Sequence, residues 1–298
     1  MDPNWDDLKV FLAVAREETL SGAGRRLKLD AATAGRRVQR LEASLGAVLF
    51  VKSPQGYALS AAGERLMEHA LDAEQAMRTG AEALTGPSDR LSGQIRVGAP
   101  DGCANYLLPQ VCARIARGNP DLDIQIVAQP RVVNLSRREA DLAITVSPPT
   151  VQTLTVQKIT DYRLHLVAAT TYLDAHPEPA TAADLRGRRL IGYIPDMIFD
   201  AELDYLRDLG IERVPLASNS VPVQLRLAAE GAGLCVAHDF ALPAHPGLRK
   251  VLPGEIGLTR SFYMVRHRGD RRSARLSRFA QQLAEGLKFE VANLEARA

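Results

Sequence analysis

Four polar side chains between residues 33 and 40 have the types and spacing needed to bind a nucleic acid. Thr33, Arg36, Arg37 and Arg40 recur at i, i+3, i+4 and i+7, so a helix would carry them as one stripe. Long cations presented by a helix can reach guanine edges and phosphates in a DNA major groove. The alternative is an ordinary amphipathic helix with a solvated arginine face.

The elements that would position this stripe can also be predicted. A neighbouring stripe of the same segment is apolar and would pack it, through Ala34, Val38, Leu41 and Leu45. Two shorter helices precede it; the first carries an apolar stripe over residues 8–15, and the second would begin with Ser21 as its N-cap. Residues 28–30 then form a turn, and Asp30 is the predicted N-cap of the third helix.

The charge of this region is more basic than that of the chain. From residue 21 to 52, seven arginines and lysines face two acidic residues, a local net charge of +5, whereas the chain of 298 residues has a net charge of +2. A local excess of this kind favours attraction to phosphates, which the overall charge does not predict.

The first 65 residues resemble the LysR-type transcriptional regulators. The resemblance rests on order and spacing over residues 8–15, Leu27, 36–38, 41–46, 49–50, 59–60 and 62–64. It implies a winged helix-turn-helix whose β-wing covers Val51 to Leu59, with a tip at residues 53–56 that touches DNA phosphates or the minor groove. The predicted DNA-binding residues are Ser21, Arg25, Arg26, Asp30, Ala31, Ala32, Thr33, Arg36, Arg37, Arg40, Lys52, Ser53 and Gln55.

The sequence departs from this family at the start of the recognition helix. Members commonly have Ser-Gln-Pro-Ala-Val-Ser where this chain has Asp-Ala-Ala-Thr-Ala-Gly at residues 30–35. Ala31 and Ala32 cannot hydrogen-bond a base edge, although they can touch a thymine methyl group. Gly24 and Gly35 also fall inside predicted helices, where glycine costs about 1 kcal/mol relative to alanine.

Residues 61 to 84 predict one long helix with a heptad seam. The seam positions are Leu66, Ala70, Ala73, Met77, Gly80 and Leu84. The resemblance implies a dimerisation helix, with Leu66, Ala70, Ala73, Met77 and Leu84 at the contact. A helix that lies on its own domain is the alternative. Gly86-Pro87-Ser88-Asp89 then predicts a hinge.

Beyond the hinge, predicted strands and helices alternate, which is typical of parallel sheets covered by helices. This region resembles the LysR effector-binding domain, built like a periplasmic solute-binding protein. The fold class is therefore α/β, with a mostly α winged helix-turn-helix over 1–62, a linker helix and hinge over 63–90, and a two-lobed effector domain over 91–298. Lobe I is expected at about 91–160 and 266–290, and lobe II at about 161–265.

Predicted strand ends and helix N-termini converge on one cleft between these lobes, where a ligand would bind. The candidate residues are Pro100, Asp101, Gly102, Cys103, Gln129, Arg131, Ser147, Pro148, Tyr193, Pro195, Asn219 and Ser220. The family often has Ser or Thr where this chain has Pro100 and Asp101. An anionic Asp101 would repel a carboxylate ligand unless Arg131 pairs with it; the alternative is that Asp101 only caps a helix starting near Cys103.

Three further features favour structural interpretations. Cys103 and Cys112 are predicted to be small buried side chains rather than a redox pair. His238 and Asp239 favour a polar loop over cleft groups. The arginines between residues 266 and 278 favour a solvated helix face over a docking surface for the DNA-binding domain.

Composition narrows the class of function. Residues 1–7 lack the apolar core of a signal peptide and no apolar run is long enough for a membrane span, which predicts a cytoplasmic protein without a membrane partner. No metalloprotease, hydrolase or P-loop motif is present, which favours a regulator over an enzyme, and no metal or cofactor is predicted. A bare solute-binding protein would leave the first 86 residues unexplained. The expected partners are double-stranded DNA, a small-molecule effector, a homodimer or homotetramer, and RNA polymerase.

Overall fold

The computed structural model describes residues 4–53, 56–84, 90–129, 140–151, 153–211 and 213–298. They fall into two units that divide between residues 88 and 89. In these described ranges, no helix combines the length and apolar composition required to cross a membrane.

The N-terminal unit contains four helices and a β-hairpin in its described part. In chain order these are α1 (Trp5–Glu17), α2 (Leu20–Leu27), α3 (Ala31–Leu45), β1 (Phe50–Ser53), β2 (Gly56–Leu59) and α4 (Ala61–Leu84). Strands β1 and β2 are antiparallel, with Phe50 opposite Leu59 and Ser53 opposite Gly56. The predicted wing is therefore present, and it begins one residue earlier than expected.

One apolar core holds these elements together. Ala34, Val38 and Leu41 of α3 are buried against α1, as the apolar stripe predicted. Leu45 is not, because it is 38% exposed. The rings of Phe11 and Phe50 lie 5.3 Å apart between centroids, which joins α1 to the wing.

Helix α4 has the predicted bounds, but its first turns belong to the core of its own unit. Met67, Ala70 and Leu71 are buried there, and Leu66 packs against them. Arg16 of α1 donates to both carboxylate oxygens of Glu74, at 3.1 and 2.7 Å. The alternative predicted for this helix is therefore correct for its N-terminal turns.

The C-terminal unit alternates strands with helices. Its elements are β3 (Gly93–Pro100), α5 (Asp101–Tyr106), α6 (Leu108–Gly118), β4 (Leu122–Gln129), β5 (Leu142–Thr145), β6 (Leu154–Ala169), α7 (Thr170–Ala175), β7 (Leu190–Gly192), β8 (Leu216–Ala217), α8 (Val221–Ala229), β9 (Leu234–His238), β10 (Leu248–Lys250), β11 (Gly257–His267) and α9 (Ala274–Glu295).

Two long strands join two parallel groups of strands into one sheet. The order is β4-β3-β5-β11-β6-β9-β7-β8, with β10 paired to β6. Strands β3, β4 and β5 are parallel, as are β7, β8 and β9, whereas β6 and β11 pair antiparallel to each other. The β6–β11 register shifts at Phe262/Tyr263, near the middle of both strands. This is the two-lobed α/β architecture expected from the sequence.

Three predicted elements of this unit differ from the structure, and two others cannot be compared with it. The single helix predicted over 106–117 is two helices that break at Leu107, and the first of them begins at Asp101. The helix predicted over 201–209 is two short 3-10 turns, Ala201–Leu203 and Arg207–Leu209. The strand predicted over 163–168 begins earlier, at Leu154. Polar residues alternate through its first half, and for this reason that half was not recognised as a strand from the sequence. The helix predicted over 134–139 and the hinge over 86–89 lie outside the described residues.

Candidate functional site

The turn between α2 and α3 is fixed by two caps and one glycine. Thr19, not the predicted Ser21, caps α2 by accepting from the Gly22 N–H at 3.1 Å, because α2 begins at Leu20. Asp30 caps α3 as predicted, by accepting from the Thr33 N–H at 2.7 Å. A Cβ on Gly24 would lie 2.6 Å from the Leu29 carbonyl oxygen. The close approach of the chain therefore requires glycine at position 24.

A short chain of hydrogen bonds positions Arg36 on the exposed side of α3. The Thr33 hydroxyl donates to Asp30 Oδ2 at 2.6 Å and accepts from Arg36 Nη2 at 2.8 Å. These bonds from Thr33 hold the pKa of Asp30 below its ordinary value. The guanidinium of Arg36 is thus oriented before any ligand binds, which lowers the entropy lost on binding.

Arg40 lies on the predicted stripe but has a partner inside the protein. Its Nε donates to Asp7 Oδ2 at 2.6 Å and its Nη2 donates to Asp7 Oδ1, while the Asp7 side chain is only 1% exposed. The carboxylate raises the pKa of Arg40. This ion pair joins α3 to α1, while the Arg40 side chain remains 60% exposed.

The remaining predicted cations of this face differ in their availability. Arg26 pairs with Glu17 at 3.1 Å. Exposed Arg25 and half-buried Arg37 have no ion pair with any described residue. Ser21, Ala32 and Ser53 are exposed, and Ala31 is half-buried. Exposed Lys52 lies over the ring of Tyr57, at 5.8 Å from its centroid. Gln55 lies outside the described residues.

In the C-terminal unit, Asp101 joins the two lobes. Its Oδ2 accepts from the Val221 N–H at 2.7 Å and from the Ser220 hydroxyl at 3.0 Å, at the first turn of α8. Its Oδ1 accepts from Asn105 Nδ2 at 2.8 Å. Asp101 thus occupies the N-terminus of a helix in the other lobe, rather than capping the helix that starts near Cys103.

A second contact between the lobes involves Ser147. Its hydroxyl donates to Asp200 Oδ2. The other oxygen of Asp200 accepts from the Glu202 N–H at 3.0 Å, which starts the first 3-10 turn. Predicted Ser147 and Ser220 therefore contact the opposite lobe through acidic partners.

A cavity of about 790 Å³ lies in the second lobe, beside these contacts. It is lined by residues between Ile191 and Val236, including the predicted Tyr193 and Pro195 as well as Asp200. Its volume is within the range of small-molecule sites. Among the predicted effector residues, this cavity is therefore lined by Tyr193 and Pro195 of the second lobe.

Two tyrosines that line this cavity lie close together, and one of them contacts a buried histidine. The rings of Tyr193 and Tyr205 meet edge to face, with centroids 5.9 Å apart. The Tyr205 hydroxyl lies 3.3 Å from His238 Nε2, and burial lowers the pKa of His238 to about 4. Burial also raises the pKa of Tyr193 and of Tyr205 well above the ordinary value. The histidine is therefore neutral and the two phenols are protonated at neutral pH.

Comparison with known families agrees with the architecture of both units. The family described as "Bacterial regulatory helix-turn-helix protein, lysR family" matches residues 5–64, and the family described as "LysR substrate binding domain" matches residues 88–288. The chain belongs to the LysR family. It is accordingly a DNA-binding transcriptional regulator with an effector-binding domain, as the sequence resemblance implied.

Individual LysR relatives are distant in sequence. The transcriptional activator TtdR of Escherichia coli K12 is 26% identical over 238 residues, covering 78% of this chain and 77% of the relative. The Mau operon transcriptional activator of Paracoccus denitrificans is 29% identical over 242 residues, covering 80% of each chain. A full-length variant of OxyR from Pseudomonas aeruginosa has the same fold, with a TM-score of 0.76 at 17% identity over 97% of this chain and 95% of that one.

Several effector residues predicted for this LysR protein do not contact the cavity. Cys103 is buried in the hydrophobic core, where burial raises the pKa of its thiol, and it does not line the cavity. Gly102 lies against the His238 ring, where a Cβ would be 3.2 Å from Cε1. Half-buried Pro100 precedes α5, Pro148 is exposed, and Asn219 is half-buried. The Gln129 side chain and Arg131 lie outside the described part.

Other sequence interpretations have mixed outcomes. Cys103 and Cys112 are free and buried, as predicted. The polar loop predicted at His238 and Asp239 is wrong, because both side chains are buried and Asp239 pairs with His165 at 2.7 Å and Lys250 at 2.9 Å. The arginines after residue 265 do not form one helix face, since that stretch begins in β11 and crosses a 3-10 turn before α9.

Several cavity residues that sequence reasoning missed lie between Phe199 and Ile211. Asp204 and Tyr205 line the cavity from a segment that was predicted as a regular helix over 201–209, and Phe199 lies just before that segment. Tyr205 and Leu206 are adjacent in sequence and both buried. Neighbouring apolar residues also occur on the buried face of an ordinary amphipathic helix, so this pair did not indicate that the segment is irregular.

Proposed function

We propose that this LysR regulator acts in the cytoplasm as a homo-oligomer that binds paired half-sites in double-stranded DNA through α3. The observation that carries the proposal is the hydrogen-bond chain from Asp30 through Thr33 to Arg36, beside Arg37 and Arg25, which have no ion pair within the described ranges. A cation fixed in direction suits a base edge, whereas an arginine without an internal counter-charge suits a phosphate. Arg40 is assigned to hold α3 in place rather than to read DNA.

The oligomer is proposed to use the distal half of α4. Ala70 is buried in the N-terminal unit, which removes it from the predicted seam, whereas Met77 is 71% exposed and Ala76 is exposed beside it. An exposed methionine on a long helix is a suitable contact for a second copy of that helix. Two copies would present two α3 helices to half-sites about one or more helical turns apart. RNA polymerase is a further proposed partner once the regulator is bound to DNA.

The test is a mobility shift with the intergenic DNA upstream of the gene for this protein, using the full chain. Arg36→Ala should weaken binding about tenfold and relax discrimination at one position, since it removes a base contact. Arg37→Ala should weaken all sequences alike and reduce the salt slope by about 1, since it removes a phosphate contact. Lys9→Ala, an exposed cation of α1 outside the proposed interface, is the matched control. Wild-type affinity for both α3 variants at physiological salt would exclude α3 as the recognition helix.

A further inference from the structure

The chemistry of the second-lobe cavity indicates the class of effector. We infer that this cavity takes a small organic ammonium ion with an apolar body, whose charge is met by Asp204 and by the faces of Tyr193 and Tyr205. The inference rests on the proposed regulator function for its biological meaning, because it names the class of effector. The binding itself can be measured without DNA.

The first observation concerns the N-terminus of α8, a position that would otherwise favour an anionic ligand. Asp101 already accepts from the Val221 N–H and the Ser220 hydroxyl there. A carboxylate ligand at this helix end would have to displace Asp101 and then lie beside its negative charge. Like charges at that distance repel, so the usual attraction of a helix N-terminus for an anion is cancelled by the protein itself.

The second observation concerns the charges that line the cavity. Asp200 is already bonded to Ser147 and to the Glu202 N–H. Asp204 also lines the cavity, is half-buried, and has no side-chain hydrogen bond or ion pair with a described residue. A partly desolvated carboxylate of this kind favours a cation as ligand. Arg207 is the cation among the lining residues, and it is exposed to solvent, where its charge is screened.

The third observation concerns the walls. Apart from the carboxylates, the cavity is bounded mainly by apolar side chains, among them Ile191, Ile198, Phe199 and Val236. Tyr193 and Tyr205 add two aromatic rings to this lining, and the faces of such rings attract cations through the ring quadrupole. An ammonium group bearing an apolar body would satisfy Asp204, the two rings and the walls together. A hydrophilic cation would leave the apolar walls unfilled.

The test compares two matched probes, 2-phenylethylammonium and 3-phenylpropionate, titrated calorimetrically into the full-length protein without DNA. They share an aromatic body and differ in the sign of the charge. We expect saturable binding of the ammonium and none of the carboxylate at millimolar concentration. Asp204→Asn should weaken ammonium binding by about tenfold or more, the loss associated with removing a charged hydrogen-bond partner. Asp196→Asn, an exposed carboxylate that does not line the cavity, should leave binding unchanged.

Selectivity of the wild-type protein is sufficient to decide, even where Asp204→Asn lowers the melting temperature. Binding of phenylpropionate in preference, with loss of that binding in Arg207→Ala, would overturn the inference in favour of an anionic effector. Binding of neither probe would overturn it as well. A mobility shift without any probe tests operator binding separately, so failure of the effector class and failure of the DNA-binding proposal give different results.

Discussion

Replacing Gly24 with alanine should destabilise the N-terminal unit, although alanine is ordinarily the better helix former. In an unhindered helix the replacement would stabilise by about 1 kcal/mol. At position 24, the new Cβ would lie 2.6 Å from the carbonyl oxygen of Leu29. That is about 0.8 Å inside ordinary van der Waals contact, and the obstacle is backbone, which cannot rotate away like a side chain.

The expected magnitude follows from these opposing effects. Overpacking against a fixed group costs about 1–3 kcal/mol, and subtracting the gain of about 1 kcal/mol in helix propensity leaves a net loss of up to about 2 kcal/mol. For a unit of this size, such a loss lowers the melting temperature by up to roughly 15 °C. Gly80→Ala is the control for helix propensity, since nothing in this chain lies within 4 Å of a Cβ at that exposed helical position. Because position 80 is on the predicted seam, both variants are compared at the same protein concentration. It should raise the melting temperature by a few degrees.

The measurement is thermal unfolding of the full chain followed by fluorescence of Trp5. This is the single tryptophan of the sequence, and it lies on α1. Its side chain is 62% exposed, so the readout is its fluorescence anisotropy, which falls when the N-terminal unit unfolds. The reasoning would be refuted if Gly24→Ala and Gly80→Ala shifted the transition in the same direction, because the close approach at Leu29 would then have no energetic consequence.

Three further outcomes are expected. Arg40→Ala should lower the melting temperature, because it leaves the buried Asp7 carboxylate without its cation, and adding Asp7→Asn should restore part of the loss. Reduced operator affinity at an unchanged melting temperature would instead make Arg40 a DNA contact. Met77→Asp should shift the oligomer toward monomer in sedimentation at micromolar concentration, whereas Val151→Asp, at an exposed valine of the C-terminal unit, should not. The same sedimentation behaviour of both variants would exclude distal α4 as the contact between subunits. The free energy of unfolding should fall by up to about 3 kcal/mol as pH is lowered from 6.5 toward 4, because the folded pKa of His238, about 4, lies below its ordinary value and the unfolded chain binds the additional proton. His238→Phe should flatten the plot of unfolding free energy, measured by urea denaturation, against pH over that window. An unchanged slope of that plot would show that His238 is not the group responsible.

Local patterns were sufficient to predict the N-terminal unit. The periodicity of Ala34, Val38 and Leu41 identified α3 and its buried face, and Asp30 identified the start of that helix. The error at the start of α2 was small in sequence, since Thr19 and Ser21 both carry hydroxyls that can cap a helix. The pairing of Asp7 with Arg40 could not be predicted, because it joins residues 33 positions apart and depends on how α1 packs against α3.

The C-terminal site was less predictable because its groups come from distant segments. Asp101 was correctly predicted to lie near a helix end. Its partners are 119 and 120 positions away, so the sequence did not identify α8 as the helix that its carboxylate contacts. Asp204 and Tyr205 were assigned to a regular helix on the basis of spacing. In the structure, Asp200 starts a short 3-10 turn and Asp204 ends it, which turns the following residues toward the cavity.

In both units, an internal carboxylate is paired with a positive group that would otherwise attract an anionic ligand. Asp7 pairs with Arg40 of α3, and Asp101 accepts hydrogen bonds at the N-terminus of α8. These internal pairs lower the attraction of the occupied groups for external ligands, because a new partner must first compete with a charge already in place. The charged side chains available to an external ligand are therefore the set that has no ion pair with another described residue. On α3 that set includes Arg36 and Arg37, which we propose as DNA contacts. In the cavity it includes the half-buried Asp204 and the exposed Arg207, and we propose the less solvated Asp204 as the partner of an ammonium ion.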